Sequence, residues 1–311
     1  MSYPIQKLVQ VATLYYKSGN TQQEIAEKMN ISRQTVINML TEAKEQKIVE
    51  ITIHNPLKES KQLSQQLIDK FNLKGAVVMP YSSFSDDLMK DILASRATSY
   101  VSDLIENGNK KIGIGWGRTI YSFITLFEPK ATKNTIVFPL MGATDKTTPF
   151  FMSNELVRNF AEKITAKTQY AYIPANPSNS EDAKLFRKTS AYIHLSSLWS
   201  DIDIAIVGLG INPSIDELIR ERYPGENAMK ISDYIAGDIS TNYFNINGDF
   251  IDISSDMLHA SHTDLSKAKR VVAIAGGLSK YSSILGALKT GIITDIITDM
   301  ETCSKILKEN K

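Results

Sequence analysis

Two hydrophobic periods run along this chain, and the change from one to the other divides it. Over 21–45, TQQEIAEKMNISRQTVINMLTEAKE, apolar positions recur at helical spacing. Thr21 with Glu24 three residues on has the spacing of a reciprocal helix N-cap, and Ile25, Ala26 and Met29 then give one buried face. Asn30, one of the few non-glycine types that tolerate a left-handed conformation, predicts the stop. Ile31 fills the angle, and Ser32 caps a second helix whose Val36, Leu40 and Ala43 form its apolar stripe. Arg33, Gln34, Thr35 and Asn38 turn away from that stripe as a polar leading edge. The pattern predicts a helix-turn-helix, the geometry that presents a second helix to the DNA major groove. Those four residues are the candidate base readers, and Thr21, Gln22 and Ser32 at the helix starts complete the candidate DNA contacts. Upstream, Ile5, Leu8, Val9, Ala12 and Tyr15 space out as one face of a supporting helix. Downstream, KIVEITI at 47–53 alternates as a half-exposed strand does, which predicts a wing.

Asn55-Pro56 breaks local structure and marks the boundary between a domain over 1–55 and a larger one over 56–311. Residues 57–71 form a polar helix with a narrow stripe, Leu63, Leu67 and Phe71. That stripe suits a connecting or partner-contacting helix, and 56–72 is assigned as a linker. Beyond it the period alternates. Strands are expected at 76–79, 111–115, 135–141, 169–173, 203–209, 270–275 and 295–298. A long helix is expected over 86–106, and others starting near Gly117, Ser153, Ser214, Ser279 and Thr302. The runs IDIAIV from Ile202 and VVAIA from Val271 are continuously apolar, as strands covered on both faces are. The expected class is therefore α/β: a winged helix-turn-helix followed by a Rossmann-like, mostly parallel sheet.

Composition narrows the setting more than the function. A length of 311 residues suits two domains, and 42% apolar with 22% charged residues is an ordinary folding composition. The single cysteine, Cys303, excludes an internal disulfide and thiolate ligation of zinc, which fits a reducing cytoplasm. The start, MSYPIQK, is no signal peptide, and no apolar run reaches membrane-spanning length, so a soluble cytoplasmic protein is expected. Net charge is +1, and residues 1–55 hold six Lys/Arg (7, 17, 28, 33, 44, 47) against five Glu (24, 27, 42, 45, 50). Phosphate neutralisation supplies much of DNA affinity, so so weak a balance calls for several heads acting together in a homo-oligomer.

Ligands of parallel sheets collect beyond the strand carboxyl ends. Four glycine-bearing turns follow four expected strands: Gly113-Ile-Gly115-Trp116-Gly117-Arg118-Thr119, Pro139-Leu-Met-Gly142, Gly208-Leu-Gly210 and Gly276-Gly277. They are expected to leave backbone amides free toward one crevice. Two helix starts there carry cations, Arg118 and Lys280, although a helix N-terminus disfavours a cation by about 0.3–1 kcal/mol. A phosphate between cation and amides explains both; solvated surface cations are the plainer alternative. The loop is G-x-G-x-G rather than a dinucleotide fingerprint, and no Walker A sequence occurs. Asp238, followed by Tyr243 and Phe244, is either an acceptor for sugar hydroxyls or a turn residue. The four histidines, 54, 194, 259 and 262, lie in no metal or triad spacing, and His259 and His262 are expected on a surface helix. Asp86-Asp87 and Asp201/Asp203 suit helix-start and strand-edge charges. No catalytic residue, metal or cofactor is assigned.

The head motifs at 11–16, 21–27, 31–33 and 48–51 resemble those of SorC/DeoR-type sugar-binding transcriptional regulators. So do GWGRT at 115–119, VGLG at 207–210, GDI at 237–239, AGG at 275–277 with Lys280 and Ile284, and the segment 291–298. The resemblance spans nearly the whole chain. It implies a tetrameric bacterial repressor or activator whose larger domain is related to sugar-phosphate isomerases, with enzymatic function lost. Its partners would then be operator DNA and a phosphorylated sugar. Gly117, Arg118 and Thr119 look like the phosphate loop, Asp238 the holder of sugar hydroxyls, and Lys280 the contact for the effector's charged end. Gly115, Trp116, Gly142, Phe244 and Gly276 complete the candidate effector site. Deoxyribonucleoside-responsive members resemble the chain over 137–142 but carry an imine-forming lysine where Met141 stands, which implies non-covalent binding here. The run 280–288 is similar to sorbose-responsive members and points to a ketose or polyol. The alternative from another class is a sugar-phosphate isomerase-like enzyme with a DNA-binding appendage; a third is a sugar-binding protein whose head only oligomerises.

Overall fold

The computed structural model describes residues 3–50, 56–80, 85–144, 152–210, 234–253 and 256–309. The chain divides into two compact units, Met1–Asn55 and Pro56–Lys311.

In the smaller unit, α1 (Ile5–Ala12) runs on into a π turn, Thr13–Lys17, and is followed by α2 (Gln22–Met29) and α3 (Arg33–Glu45). Thr21 Oγ1 accepts from the Glu24 amide at 3.2 Å while the Glu24 carboxylate accepts from the Thr21 amide at 2.7 Å. Asn30 turns the chain at φ 52° and ψ 48°, and Ser32 Oγ caps α3 by accepting from the Thr35 amide at 3.0 Å. Leu8, Val11 and Ala12 of α1 pack with Ile25, Ala26, Val36, Met39, Leu40 and Ala43. Ile5 and Val9, expected inside, are 64% and 44% exposed. The first helix carries two apolar stripes, and packing against α3 selected the one through Leu8 and Val11. The expected strand over 47–53 does not form in its described part. Lys47 takes φ 57°, residues 47–50 run as turn and bend, and the Val49 amide folds back to the Ala43 carbonyl at 3.0 Å. Residues 51–53 lie outside the described residues.

The larger unit opens with α4 (Pro56–Phe71), β1 (Gly75–Met79) and α5 (Asp86–Leu104). Then come β2 (Lys111–Ile114), α6 (Arg118–Leu126), β3 (Ile136–Pro139), α7 (Ser153–Ile164) and β4 (Lys167–Thr168). Two helices, α8 (Ser180–Phe186) and α9 (Ser190–Trp199), lead to β5 (Ile204–Gly208). A small antiparallel sheet follows, β6 (Gly237–Ile239), β7 (Asn242–Phe244) and β8 (Phe250–Ile251), and then α10 (His262–Lys267) and β9 (Arg270–Ile274). A 3₁₀ turn, Leu278–Lys280, leads into α11 (Tyr281–Lys289), β10 (Asp295–Asp299) and α12 (Met300–Glu309). The main sheet has the order β1-β10-β9-β5-β2-β3-β4 and every pairing is parallel. Burial on both faces explains the unbroken apolar runs. The fourth strand lies earlier than the expected 169–173, and the helix expected near Ser214 falls outside the described residues.

Each face has its own core. On one, α5, α6 and α7 pack around Phe123, Phe127 and Phe160, whose ring centroids lie 5.1–5.5 Å apart. On the other, Trp199 is buried and its Nε1 donates to the Pro139 carbonyl at 2.8 Å. The helix α4 joins that second core through fully buried Leu67, and Ser64 Oγ accepts from the Val78 amide at 3.1 Å. It therefore covers the outer edge of β1, the end strand of the sheet, instead of hanging as a bare connector.

Charge pairs close the amino ends of the strands. Asp203 accepts from the Lys111 amide at 2.8 Å and pairs with Lys269 at 2.7 Å, while Asp201 pairs with Lys111. Asp295 is wholly buried; it pairs with Arg270 and accepts from the Tyr100 hydroxyl and from Thr294 Oγ1, both at 2.5 Å. Burial, then the bond to Asp295, pushes the Tyr100 hydroxyl above its ordinary value. Breaking a buried pair by removing one partner typically costs about 3–5 kcal/mol. Arg270 keeps some contact with water, so Asp295→Ala is expected to lose about 3 kcal/mol, at the lower end of that range. Urea unfolding of the full chain followed by tryptophan fluorescence checks this, because both tryptophans, 116 and 199, belong to the larger unit.

Candidate functional site

The strand order reverses between β2 and β5. From β2 the chain moves outward through β3 to β4, then returns to β5 on the other side of β2 and moves outward again to β9 and β10. Connections that leave two adjacent strands in opposite directions cannot cover the gap between them, and a crevice opens at the carboxyl ends. Gly115 and Gly208 stand on its two banks. The Gly115 amide donates to the Ile206 carbonyl at 2.9 Å, and a Cβ on Gly115 would come within 3.3 Å of Ser240 Oγ. Ser240 and Thr241 form the tip of the β6–β7 hairpin, both at positive φ, 47° and 68°. A β-branched residue in that region is a backbone outlier, held here by burial of the tip and by the Asp238 carboxylate, which accepts from the Thr241 amide at 2.8 Å.

Most of the glycine amides expected to face the crevice are already used by the fold. Gly210 donates to the Asp238 carbonyl at 3.1 Å and Gly142 to the Leu258 carbonyl at 2.8 Å. Gly277 donates to the buried Asp299 carboxylate at 2.6 Å, which also accepts from the Thr302 amide at 2.9 Å. The Gly276-Gly277 turn is therefore bound to the protein's own anion, and the expectation that it offers free amides is corrected. The start of α6 differs. Gly117 sits at φ 102° with open space where a side chain would be, no side chain caps the helix, and no acid occupies its first turn. The α7 start is also uncapped, but Glu155 lies in its first turn. Unpaired amides and a positive helix end make residues 117–119 the anion-ready part of the crevice.

The two expected cations have different surroundings. Arg118 is 68% exposed and stands 3.9 Å from Asp87, a carboxyl held below its ordinary value first by Lys90. Lys280 points inward, donating to the Leu209 carbonyl at 2.6 Å, and Ser283 Oγ donates to the Gly210 carbonyl at the same distance. Burial raises the Asp238 carboxyl, while the Thr241 amide and then Lys280 act against that rise. Asp238 thus stabilises a turn, one of its two expected roles, and its carboxylate lies beside the switch point. Thr119 is buried against Gly208, and Trp116 is half exposed at the β2–α6 turn. Phe244 is a correction: it is fully buried in the core beneath the hairpin, in contact with Gly286, and does not line the crevice. All of β7 is buried and α11 covers Phe244, which the polar residues near it in sequence concealed.

Sequence patterning misses a strap over 257–260. It runs antiparallel beside the end of β3, with Met141 paired to His259 and the Ala260 amide donating to the Leu140 carbonyl at 2.8 Å. His259 is therefore not on a surface helix; only His262 begins one, stacked on Phe250. Burial pushes the His259 imidazole down to about 4, against the Ala260 carbonyl and Asp264, which favour its charged form. His54 lies outside the described residues and His194 is exposed on α9. In the smaller unit, Arg33, Gln34 and Asn38 are exposed along one side of α3, with Gln34 Nε2 donating to Asn38 Oδ1 at 3.1 Å. Thr35 is half-buried and its hydroxyl bonds Ser32 at 2.8 Å. Thr21 and Ser32 are exposed with their oxygens engaged as caps, and Gln22 is half-buried.

The family model described as "Putative sugar-binding domain" matches residues 55–308. The sorbitol operon regulator of Klebsiella pneumoniae is 31% identical over 311 residues, 98% of each chain. The deoxyribonucleoside regulator of Bacillus subtilis (strain 168) is 27% identical over 97% of each. The crystal structure of the full-length Klebsiella regulator superposes with a TM-score of 0.73 at 30% identity, covering 97% of this chain and 99% of that one.

His259 makes stability depend on acid. The unfolded imidazole takes a proton near its ordinary value of about 6.5, whereas the folded one resists until about 4. The stabilisation is complete above the upper value and is lost as pH falls through that window, by about 1.4 kcal/mol per pH unit. Urea midpoints between pH 7 and 4.5 should fall more steeply for the parent than for His259→Gln.

Proposed function

The chain belongs to the SorC/DeoR-type family of sugar-binding transcriptional regulators, and from that premise we propose that it is a DNA-binding regulator of a carbohydrate-utilisation operon. The observation that carries the effector half is the helix start at 117–119, which lies at the switch point with no side-chain cap and no acid in its first turn and includes Arg118, whereas the uncapped turn at 277–281 already has the Asp299 carboxylate on its Gly277 amide. A phosphorylated sugar or polyol fits it. Its phosphate meets the amides of 117–119 and Arg118, and its hydroxyls meet Asp238 and the ammonium of Lys280. Met141 carries a thioether, which forms no imine, so the effector is held non-covalently. The named relatives are regulators of sorbitol and deoxyribonucleoside operons, which favours a regulator over an isomerase-like enzyme with a DNA-binding appendage.

The DNA half rests on α3. Exposed Arg33, Gln34 and Asn38, with Thr35, read base edges in the major groove, while Thr21, Gln22 and Ser32 contact the backbone. With its near-neutral charge, one head binds weakly, so operator affinity comes from several heads in a homo-oligomer, a tetramer on the family resemblance. Effector binding then changes operator affinity through a coupling free energy between the two sites.

Two outcomes are expected. On an operator selected from random-sequence DNA by the full chain, Gln34→Ala should lose about 1–3 kcal/mol and relax preference at one base pair. An unchanged preference removes Gln34 from the readers. Sorbitol 6-phosphate should raise the melting temperature and alter the gel shift, and Arg118→Ala should weaken both effects. A gel shift indifferent to every sugar phosphate and free sugar tested would overturn effector control.

A further inference from the structure

The strap over 257–260 lies beside the anion-ready helix start, and three observations give its histidine a role. First, His259 and Met141 face each other across an antiparallel bridge, so their side chains share one side of the strand pair. Alternation along β3 fixes which side. Phe138 and Leu140 point into one core and Val137 into the other, so Met141 lies on the Val137 side, the face that carries α6. Met141 is closed to solvent yet belongs to neither core. Register aligns Pro139 with Ile114, which sets Met141 about one strand spacing, ~4.8 Å, to the side of the β2–α6 turn.

Second, the tautomer is fixed. His259 Nδ1 lies 3.0 Å from the Ala260 carbonyl, which can only accept, so Nδ1 carries the proton and Nε2 is a bare acceptor. The same carbonyl accepts from Asn242 Nδ2 at 3.0 Å, next to Thr241 on the Asp238 hairpin. The imidazole is thereby tied to the switch point through one shared atom. Third, Nε2 has no partner among the described residues, and the residue keeps part of its surface open. The charged groups facing it are Asp264, Arg187 and His262.

We propose that His259 contacts the effector, its Nε2 accepting a hydrogen bond from a hydroxyl at the end of the carbon chain remote from the phosphate. A neutral acceptor over a thioether welcomes a hydroxyl and repels a carboxylate at that end. The site therefore selects phosphorylated polyols and ketoses over the corresponding acids. This rests on the crevice being the effector site.

Three probes that differ only at the remote carbon test it by calorimetry with the full chain: sorbitol 6-phosphate, its 1-deoxy analogue and 6-phosphogluconate. The parent should bind sorbitol 6-phosphate about tenfold or more tighter than either of the others. His259→Leu should lose about that factor for sorbitol 6-phosphate and nothing for the deoxy analogue, and His259→Gln, which keeps an acceptor, should recover part of it. Undisturbed binding of sorbitol 6-phosphate by both variants, or equal binding of the acid and the alcohol by the parent, overturns the role of His259 alone. Failure of the parent to bind any of the three overturns the crevice assignment and this role with it.

Discussion

The reversal of strand order between β2 and β5 is the constraint on which the larger unit depends. At the reversal the connections leave β2 and β5 in opposite directions, and a crevice is left at the carboxyl ends of those two strands. What enters the gap is the β6–β7 hairpin, whose tip is held at positive φ by the Asp238 carboxylate and by burial. The hairpin brings a carboxylate, a hydroxyl-bearing tip and, through Asn242, the strap over 257–260 to the same crevice. A backbone outlier at that place is consistent with a conformation maintained for a site rather than for the core.

The two ends of the sheet differ in how their polar groups are satisfied. At the amino ends Asp203 pairs with Lys269 and accepts from the Lys111 amide, Asp201 pairs with Lys111, and Asp295 pairs with Arg270. At the carboxyl ends the fold also satisfies most of its own amides, at Gly142, Gly210 and Gly277. The α6 start, preceded by a glycine in a conformation that other residues rarely adopt, is left without a side-chain cap or a first-turn acid, and unlike the turn after Gly277 it has, among the described residues, no carboxylate on its amides. The proposed anion site rests on that contrast more than on the number of glycines.

Chemistry along the crevice is graded. The α6 start offers a positive helix end and Arg118. The hairpin offers Asp238, whose carboxyl burial raises, next to the ammonium of Lys280. The strap offers a neutral imidazole above Met141. The proposed effector, with an anionic end, hydroxyls along its length and an uncharged far end, takes its form from these three in order.

Local signals determined a good deal. Thr21–Glu24, Asn30 and Ser32 act within a few residues, so caps and turn of the helix-turn-helix were legible in the string, as were glycines closing apolar strands. The parallel sheet was legible because burial on both faces removes alternation. Tertiary structure decided whatever depends on a distant partner. Two apolar stripes on α1 were equivalent until α3 buried one, and the 47–50 segment bent back to Ala43 despite its alternation. Phe244 went inward because α11 covers its side of β7. Gly277 lost its amide to Asp299, 22 residues along the chain, and His259 reached Met141 across 118 residues. Periodicity records only which side of an element is buried; which partner buries it, and which donors that partner consumes, is fixed when the elements meet.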